Sequence, residues 1–254
     1  VAMVFIETPS NPCNDMFAIE SASELASRFA TDDNPVPVAV DNTFLGPIWQ
    51  SPLEHGADLV IYSATKFLGG HSDLIAGALL GPSDLIGAVT ETRTILGTMA
   101  TPLTGWLLMR SLETLDMRMR RQADTAGVIA TFLEGHPAVA RVQYLGLLSP
   151  GDLGHDIYEK QCKGPGSMIS FWLDADEEGT FKFLDSLKLV HLAFSLGSTE
   201  SLVEHPASMT HAGVDPLEKK RLHITDSLVR LSVGVERPED LIADLTAALD
   251  TITE

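Results

Sequence analysis

The chain has 254 residues, 44% of them hydrophobic and 20% charged, enough for one large domain or one and a half ordinary ones around a buried core. Seventeen Lys and Arg against 35 Asp and Glu leave a formal charge of −18, which repels phosphate backbones and anionic membrane surfaces and excludes nucleic-acid and polybasic lipid-binding roles. No apolar run approaches the length of a membrane span, and the opening residues, Val1 to Glu7, have neither the basic region nor the cleavage site of a signal peptide.

Two cysteines, Cys13 and Cys162, cannot build a disulfide framework and fit a reducing cytoplasm. The expectation is a soluble cytoplasmic enzyme. The first residues read as a strand with no turn or cap before them, as if this were the later part of a longer protein.

Apolar residues predict a strand over 2–6, closed by the loop Glu7-Thr8-Pro9-Ser10-Asn11-Pro12. Ser21 and Glu24 have capping-box spacing, and Leu25 and Phe29 at i and i+4 predict a helix of about three turns. Asn34-Pro35 ends it, with 32–35 read as a surface insertion. Residues 36–40 form a second predicted strand, which delivers Asp41 at its C-terminal end. A short helix is expected from Ser51-Pro52, a strand over 57–62, and another over 75–80 before Gly81-Pro82. This alternation predicts an α/β layer with a parallel or mixed sheet.

Ser83 opens a helix that ends near Gly97. Thr101-Pro102 opens a long helical stretch with Trp106, Met109, Leu112 and Leu115 as an apolar stripe, stopped by Gly135-His136-Pro137. Further strands are expected over 139–145, 167–173, 190–194 and 228–235. Residues 146–166 read as a loop and 179–187 as a helix. Pro238 opens the last helix, which runs to about Ile252 with a solvated acidic face. The texture changes after Pro137, so the domains are drawn at 1–137 and 138–254.

Three places carry candidate chemistry. Asp41 ends a strand, where open α/β sheets place ligands, although an acid there also serves as a loop cap. In Ser63-Ala64-Thr65-Lys66-Phe67-Leu68-Gly69-Gly70-His71, an extended backbone sets the Ser63 and Thr65 hydroxyls on one side, as phosphate oxygens require. Lys66 lies in an apolar, glycine-rich surround, where an amine loses solvation and its proton affinity falls, as Schiff-base chemistry needs. No Gly-Lys-Ser/Thr occurs, so this is not a Walker-type loop. Arg230 shares a strand face with Leu228, Ser232 and Gly234, which leaves room for a bidentate carboxylate clamp or for a structural ion pair.

A metal site is not expected, because His205 and His211 are six apart and no Cys-x-x-Cys occurs. His71 reads as a loop residue. Without a Gly-x-Ser-x-Gly elbow a serine hydrolase is also set aside.

Taken together, Asp41-Asn42-Thr43-Phe44 and the Ser63 to His71 segment resemble the pyridoxal-phosphate enzymes of cysteine and methionine metabolism, the trans-sulfuration family of cystathionine γ-synthase, cystathionine lyases and methionine γ-lyase. Residues 7–12, 205–211 and 228–234 fit the same family in the same order, so the resemblance covers essentially the whole chain. It implies a fold type I transferase-like α/β architecture, with a cofactor-binding large domain and a smaller C-terminal α/β domain that clamps the substrate.

It also implies roles. Lys66 would join the aldehyde of pyridoxal 5'-phosphate and then shuttle protons on the substrate. Asp41 would pair with the pyridine nitrogen, and Ser63 and Thr65 would hold the phosphate. Asn11, Ser195 and Arg230 match positions near the cofactor oxygen and the substrate carboxylate, and Thr210 one that steadies Arg230. Phe194, an apolar residue just before Ser195, favours a thioether methyl and hence a methionine γ-lyase-like γ-elimination. The alternatives are γ-replacement as in cystathionine γ-synthase, or cystathionine cleavage.

The implied partner is a small amino-acid substrate, and the implied assembly is a homotetramer. Family members carry a longer N-terminal region with a ring-stacking aromatic, a phosphate loop, and a Tyr and Arg that reach the neighbouring subunit. None of these occurs in the sequence, so a truncated, catalytically silent subunit is the expectation from another class.

Overall fold

The computed structural model describes residues 1–31 and 33–253, so Asp32 of the expected insertion lies outside the described residues. The N-terminal half builds one sheet from β1 (Val4–Glu7), β2 (Val38–Asp41), β3 (Leu59–Ser63) and β4 (Gly77–Leu80), in that spatial order. β1, β2 and β3 run parallel and β4 antiparallel, so the sheet is mixed. Val38, Ala39 and Val40 are all buried, the continuous apolar run expected of a strand covered on both faces. The C-terminal ends of the parallel strands bring Glu7, Asp41 and Ser63 to one edge of the layer.

Helix α1 (Ile19–Ser27) connects β1 to β2 and packs Ile19 and Ala26 beneath Val38 and Val40. α2 (Gly46–Trp49) and a 3-10 turn at Pro52–His55 follow β2. Then come α3 (Ser83–Leu96), α4 (Pro102–Leu112) and α5 (Leu115–Glu134).

The C-terminal half forms a second sheet from β5 (Val139–Gln143), β6 (Met168–Leu173), β7 (His191–Leu192), β8 (Leu202–Glu204) and β9 (Leu228–Ser232). Its spatial order is β5-β6-β9-β8-β7, antiparallel except for the β7/β8 pair. α6 (His155–Gln161), α7 (Glu177–Ser186), α8 (Pro216–Arg221) and α9 (Pro238–Thr253) complete the chain.

α5 joins the two halves. Leu115, Met119 and Ala123 of its first turns pack with Phe44, Leu45, Phe67 and Leu196. Ala126, Ile129, Ala130 and Leu133 enter the second core with Phe171, Val229, Leu231, Phe183 and Leu245. A polar lock adds to the junction: Gln161 Nε2 donates to Gln50 Oε1 at 3.1 Å and to the Phe17 carbonyl at 3.1 Å, while its Oε1 accepts from Ile19 N at 3.2 Å.

Several local expectations are corrected. Ser21 does not cap α1: the helix begins two residues earlier with Ala18 at the N-cap and no side-chain cap bond, and Leu25 and Phe29 are exposed. Tertiary packing on β2 selects Ile19 and Ala26 instead. The stretch after Pro102 is two helices, broken at Glu113 and Thr114, and its stripe does not enter the core, because Trp106, Met109 and Leu112 are exposed while Leu115 is buried. Thr101 does cap α4, accepting from Thr104 N at 3.2 Å.

Among the helices and strands, α2, α6 inside the predicted loop, β8 and α8 were not expected. β7 shrinks to two residues and β4 starts at Gly77, leaving Ile75 exposed.

Candidate active site

The C-terminal edge of the first sheet faces the β8/β9 region of the second. Asp41 ends β2, and its register partner on β1 is Glu7. Asp41 Oδ1 accepts from Thr43 N at 3.0 Å, the loop-cap bond, and Thr43 Oγ1 accepts from Ser63 N at 2.9 Å, tying the ends of β2 and β3. Burial raises the Glu7 carboxyl above its usual range; the Asn11 N–H opposes this, the Asp41 charge adds to it, and Arg230 opposes it.

β3 stops at Ser63, and residues 64–69 form a turn, with Lys66 N donating to Ser63 O at 3.0 Å and Gly69 N to Ala64 O at 2.8 Å. The expected extended alternation of Ser63, Thr65 and Lys66 therefore does not exist; the turn replaces it. Ser63 makes no side-chain hydrogen bond among the described residues. The Thr65 hydroxyl accepts from Ala76 N at 3.0 Å and donates to Ala76 O at a long 3.3 Å.

The turn is held from behind by Arg118, whose Nη1 donates to the Phe67 carbonyl at 2.9 Å and Nη2 to the Ser111 carbonyl at 3.0 Å. Gly70, at φ +67°, lies against that guanidinium, so that a Cβ there would stand 1.9 Å from Nη1.

Lys66 is half-buried, and its Nζ donates to Ser195 Oγ at 3.1 Å. Desolvation lowers its proton affinity first, the Arg230 cation lowers it further, and the Glu204 carboxylate opposes both.

Arg230 is 2% exposed and is not an open clamp. Its Nη1 pairs with Glu204 Oε1 at 2.9 Å and donates to Asn11 Oδ1 at 2.7 Å, and its Nη2 donates to Ser195 O at 3.2 Å. The room predicted beside Ser232 and Gly234 is filled by Gly197, whose N–H donates to Ser232 Oγ at 2.8 Å, and by Glu236 and Thr199 against Gly234. Glu204 of β8 pairs with the guanidinium, so the ion-pair reading of Arg230 holds in this conformation. Arg230 Nε remains buried without an acceptor. Thr210 Oγ1 donates to Glu204 Oε1 at 2.8 Å.

The fold thus joins Asn11, Lys66, Ser195, Thr210 and Arg230 in one hydrogen-bonded group, with Asp41 and Ser63 on the adjoining strand ends. Thr65 is turned onto Ala76. Sequence reasoning missed Glu204, because a single acid in an apolar tripeptide gave no strand signal, and Arg118, which reads as one more charge on an amphipathic helix.

These residues fit pyridoxal phosphate: a desolvated amine for the aldehyde, a carboxylate whose second oxygen is uncommitted for the ring nitrogen, a free hydroxyl for the phosphate, and an orphaned guanidinium N–H for a carboxylate. A family profile described as Cys/Met metabolism PLP-dependent enzyme matches residues 1–250. An L-methionine gamma-lyase of Fusobacterium nucleatum subsp. polymorphum is 43% identical over 98% of the chain and 62% of its own length. A cystathionine gamma-lyase of Dictyostelium discoideum is 42% identical over the same shares.

Among solved structures, cystathionine gamma synthase from Xanthomonas oryzae pv. oryzae, in complex with aminoacrylate and cysteine, superposes with a TM-score of 0.93 at 40% identity, covering 99% of this chain and 64% of that one. The chain spans 62% of the length of these curated relatives. With the profile matching nearly every residue and the identities this high, the chain belongs to the pyridoxal-phosphate-dependent enzymes of cysteine and methionine metabolism.

Proposed function

We propose that the protein is a pyridoxal-phosphate-dependent carbon–sulfur lyase of a sulfur amino acid, with methionine γ-lyase-like γ-elimination as its reaction. The observation that carries this reading is the half-buried Lys66 amine, of lowered proton affinity, hydrogen-bonded to Ser195 beside Arg230. Relatives named for methionine and cystathionine cleavage support the reaction class.

When bound, the cofactor supplies an electron sink for charge developed at the substrate Cα. Asp41 would pair with its ring nitrogen, and Ser63 and Thr65 would hold its phosphate. Lys66 would take the proton from the substrate Cα and return it along the substrate's carbon chain. Arg230 receives the substrate carboxylate through its unpartnered Nε and through Nη2, with Asn11 and Ser195 orienting the guanidinium. Phe194, 66% exposed, offers an apolar wall to a thioether methyl. The division at residue 138 separates the cofactor layer from the substrate-clamping layer, with α5 as the strut shared by both.

By likeness to its family the protein works in the cytoplasm as a homotetramer. Among the described residues no helix is long and apolar enough to cross a membrane.

Borohydride reduction and digestion of protein supplied with the cofactor is the test. The Lys66 peptide is expected to carry the cofactor mass, and a coloured protein with that peptide unmodified overturns the reading. Protein that stays colourless supports the catalytically silent subunit instead. Methionine alone should then yield 2-oxobutanoate and methanethiol; product only from an O-acyl-homoserine with cysteine would establish γ-replacement, and product only from cystathionine would establish cystathionine cleavage.

A further inference from the structure

The β8/β9 register sets Glu204 opposite Arg230. The pair is 2.9 Å apart, with side-chain exposures of 0% and 2%. Glu204 Oε1 also accepts from Thr210 at 2.8 Å, while Oε2 is buried with no partner. On the other side, Arg230 Nη2 donates to the Ser195 carbonyl at 3.2 Å and Lys66 Nζ to the Ser195 hydroxyl at 3.1 Å. One residue therefore bridges two cations, and Glu204 is the carboxylate within salt-bridge distance of the guanidinium among the described residues.

A buried guanidinium without a counter-ion is costly, and its field acts strongly on a nearby like charge in a medium of low permittivity. We infer that Glu204 is a positioning residue: it anchors Arg230, cancels its charge, and through the Ser195 bridge governs whether the Lys66 amine holds a proton. The assignment of Lys66 as the reactive amine is what gives this a functional meaning, so the inference rests on that reading. Glu204 itself touches no reacting atom.

The other charged or titratable groups around the cluster are Glu7, which feels both Asp41 and Arg230, and His211, which shares a 2.9 Å hydrogen bond with Thr210 and also feels Arg230. The sign follows from the charges. Neutralising Glu204 leaves Arg230 uncompensated, so Lys66 releases its proton at lower pH; neutralising both restores the balance.

The amine can be titrated directly. Protein treated with hydroxylamine, to release any bound aldehyde, is reductively methylated with 13C-formaldehyde, and the Lys66 signal is identified by its loss in Lys66→Arg. Glu204→Gln should lower the Lys66 midpoint by about one pH unit, and Glu204→Gln with Arg230→Gln should return it towards the wild-type value. Thr210→Val, which removes a hydrogen bond that favours the Glu204 carboxylate and holds it against Arg230, should shift it the same way by a smaller amount. It keeps the test open where Glu204→Gln does not fold. Glu200→Gln, at an exposed acid bonded to Ser72, is the control and should leave the midpoint in place. A Lys66 midpoint unmoved by Thr210→Val and by any folded Glu204→Gln protein overturns the inference. Failure of the Lys66 assignment shows separately, as absence of the cofactor from the Lys66 peptide after borohydride reduction.

Discussion

Lys66 and Ser195 meet across the seam between the two sheets, Nζ donating to Oγ at 3.1 Å, although 129 positions separate them in the chain. The contact sets the Lys66 amine of the first layer against the loop between β7 and β8 in the second. Because the folded amine has a lowered pKa, first through burial, the unfolded chain binds that proton more tightly. Stability linked to this group therefore rises with pH, from the folded-state pKa up to the ordinary lysine value. Melting temperatures of wild type and Lys66→Met between pH 7 and 11 should diverge in that sense, the wild type gaining relative to the variant. Parallel curves would mean that the amine is solvated.

Arg230→Lys keeps a positive charge facing Glu204 but loses the planar fork. In active protein the KM for the amino-acid substrate should rise roughly 10- to 100-fold, equivalent to about 1.4–2.7 kcal/mol of carboxylate binding, with a smaller effect on kcat. Steady-state kinetics decide, and an unchanged KM would remove Arg230 from the substrate site.

Gly70→Ala forces a Cβ to within 1.9 Å of the Arg118 Nη1 at a backbone angle of φ +67°. The guanidinium must leave the Phe67 carbonyl, so the turn that carries Lys66 loses its rear support. We expect a loss of about 3 kcal/mol in urea unfolding, and a midpoint equal to wild type would show that the turn tolerates the displacement.

Gln161→Leu removes a side chain that serves Gln50, Phe17 and Ile19 at the junction of the halves. The Ile19 N–H loses its partner in a buried setting, and the Gln50 side-chain oxygen is left with the Cys162 thiol alone. A cost of about 2 kcal/mol is expected, read as a lower urea midpoint, and amide exchange should quicken at Ile19. Protection at Ile19 equal to wild type would contradict the lock.

Much of the frame was legible before any coordinates. β2 and β6 are short, largely apolar runs, β9 alternates an apolar face with Arg230 and Ser232, α9 opens on Pro238, and α3 ends on Gly97 in a left-handed conformation. Each is decided by signals a few residues apart. α6 was not legible because His155–Gln161 is a polar heptad, and its main buried contact, Gln161, reaches residues more than a hundred positions away. The stripe on α4 misled because periodicity records only that one face is apolar, and that face is exposed among the described residues.

The same division holds at the site. Residue chemistry and local order by themselves singled out Lys66, Asp41, Ser63 and Arg230, because an amine among glycines, an acid at a strand end and an arginine on a small-residue face are local patterns. Only tertiary structure decided that Arg230 is neutralised by Glu204, that Thr65 turns onto Ala76, and that Arg118 supports the lysine turn. Those outcomes depend on which strand lies beside which and on how deeply a charge is buried. Register and burial come from packing the whole chain, through contacts that no neighbouring residue in sequence can encode.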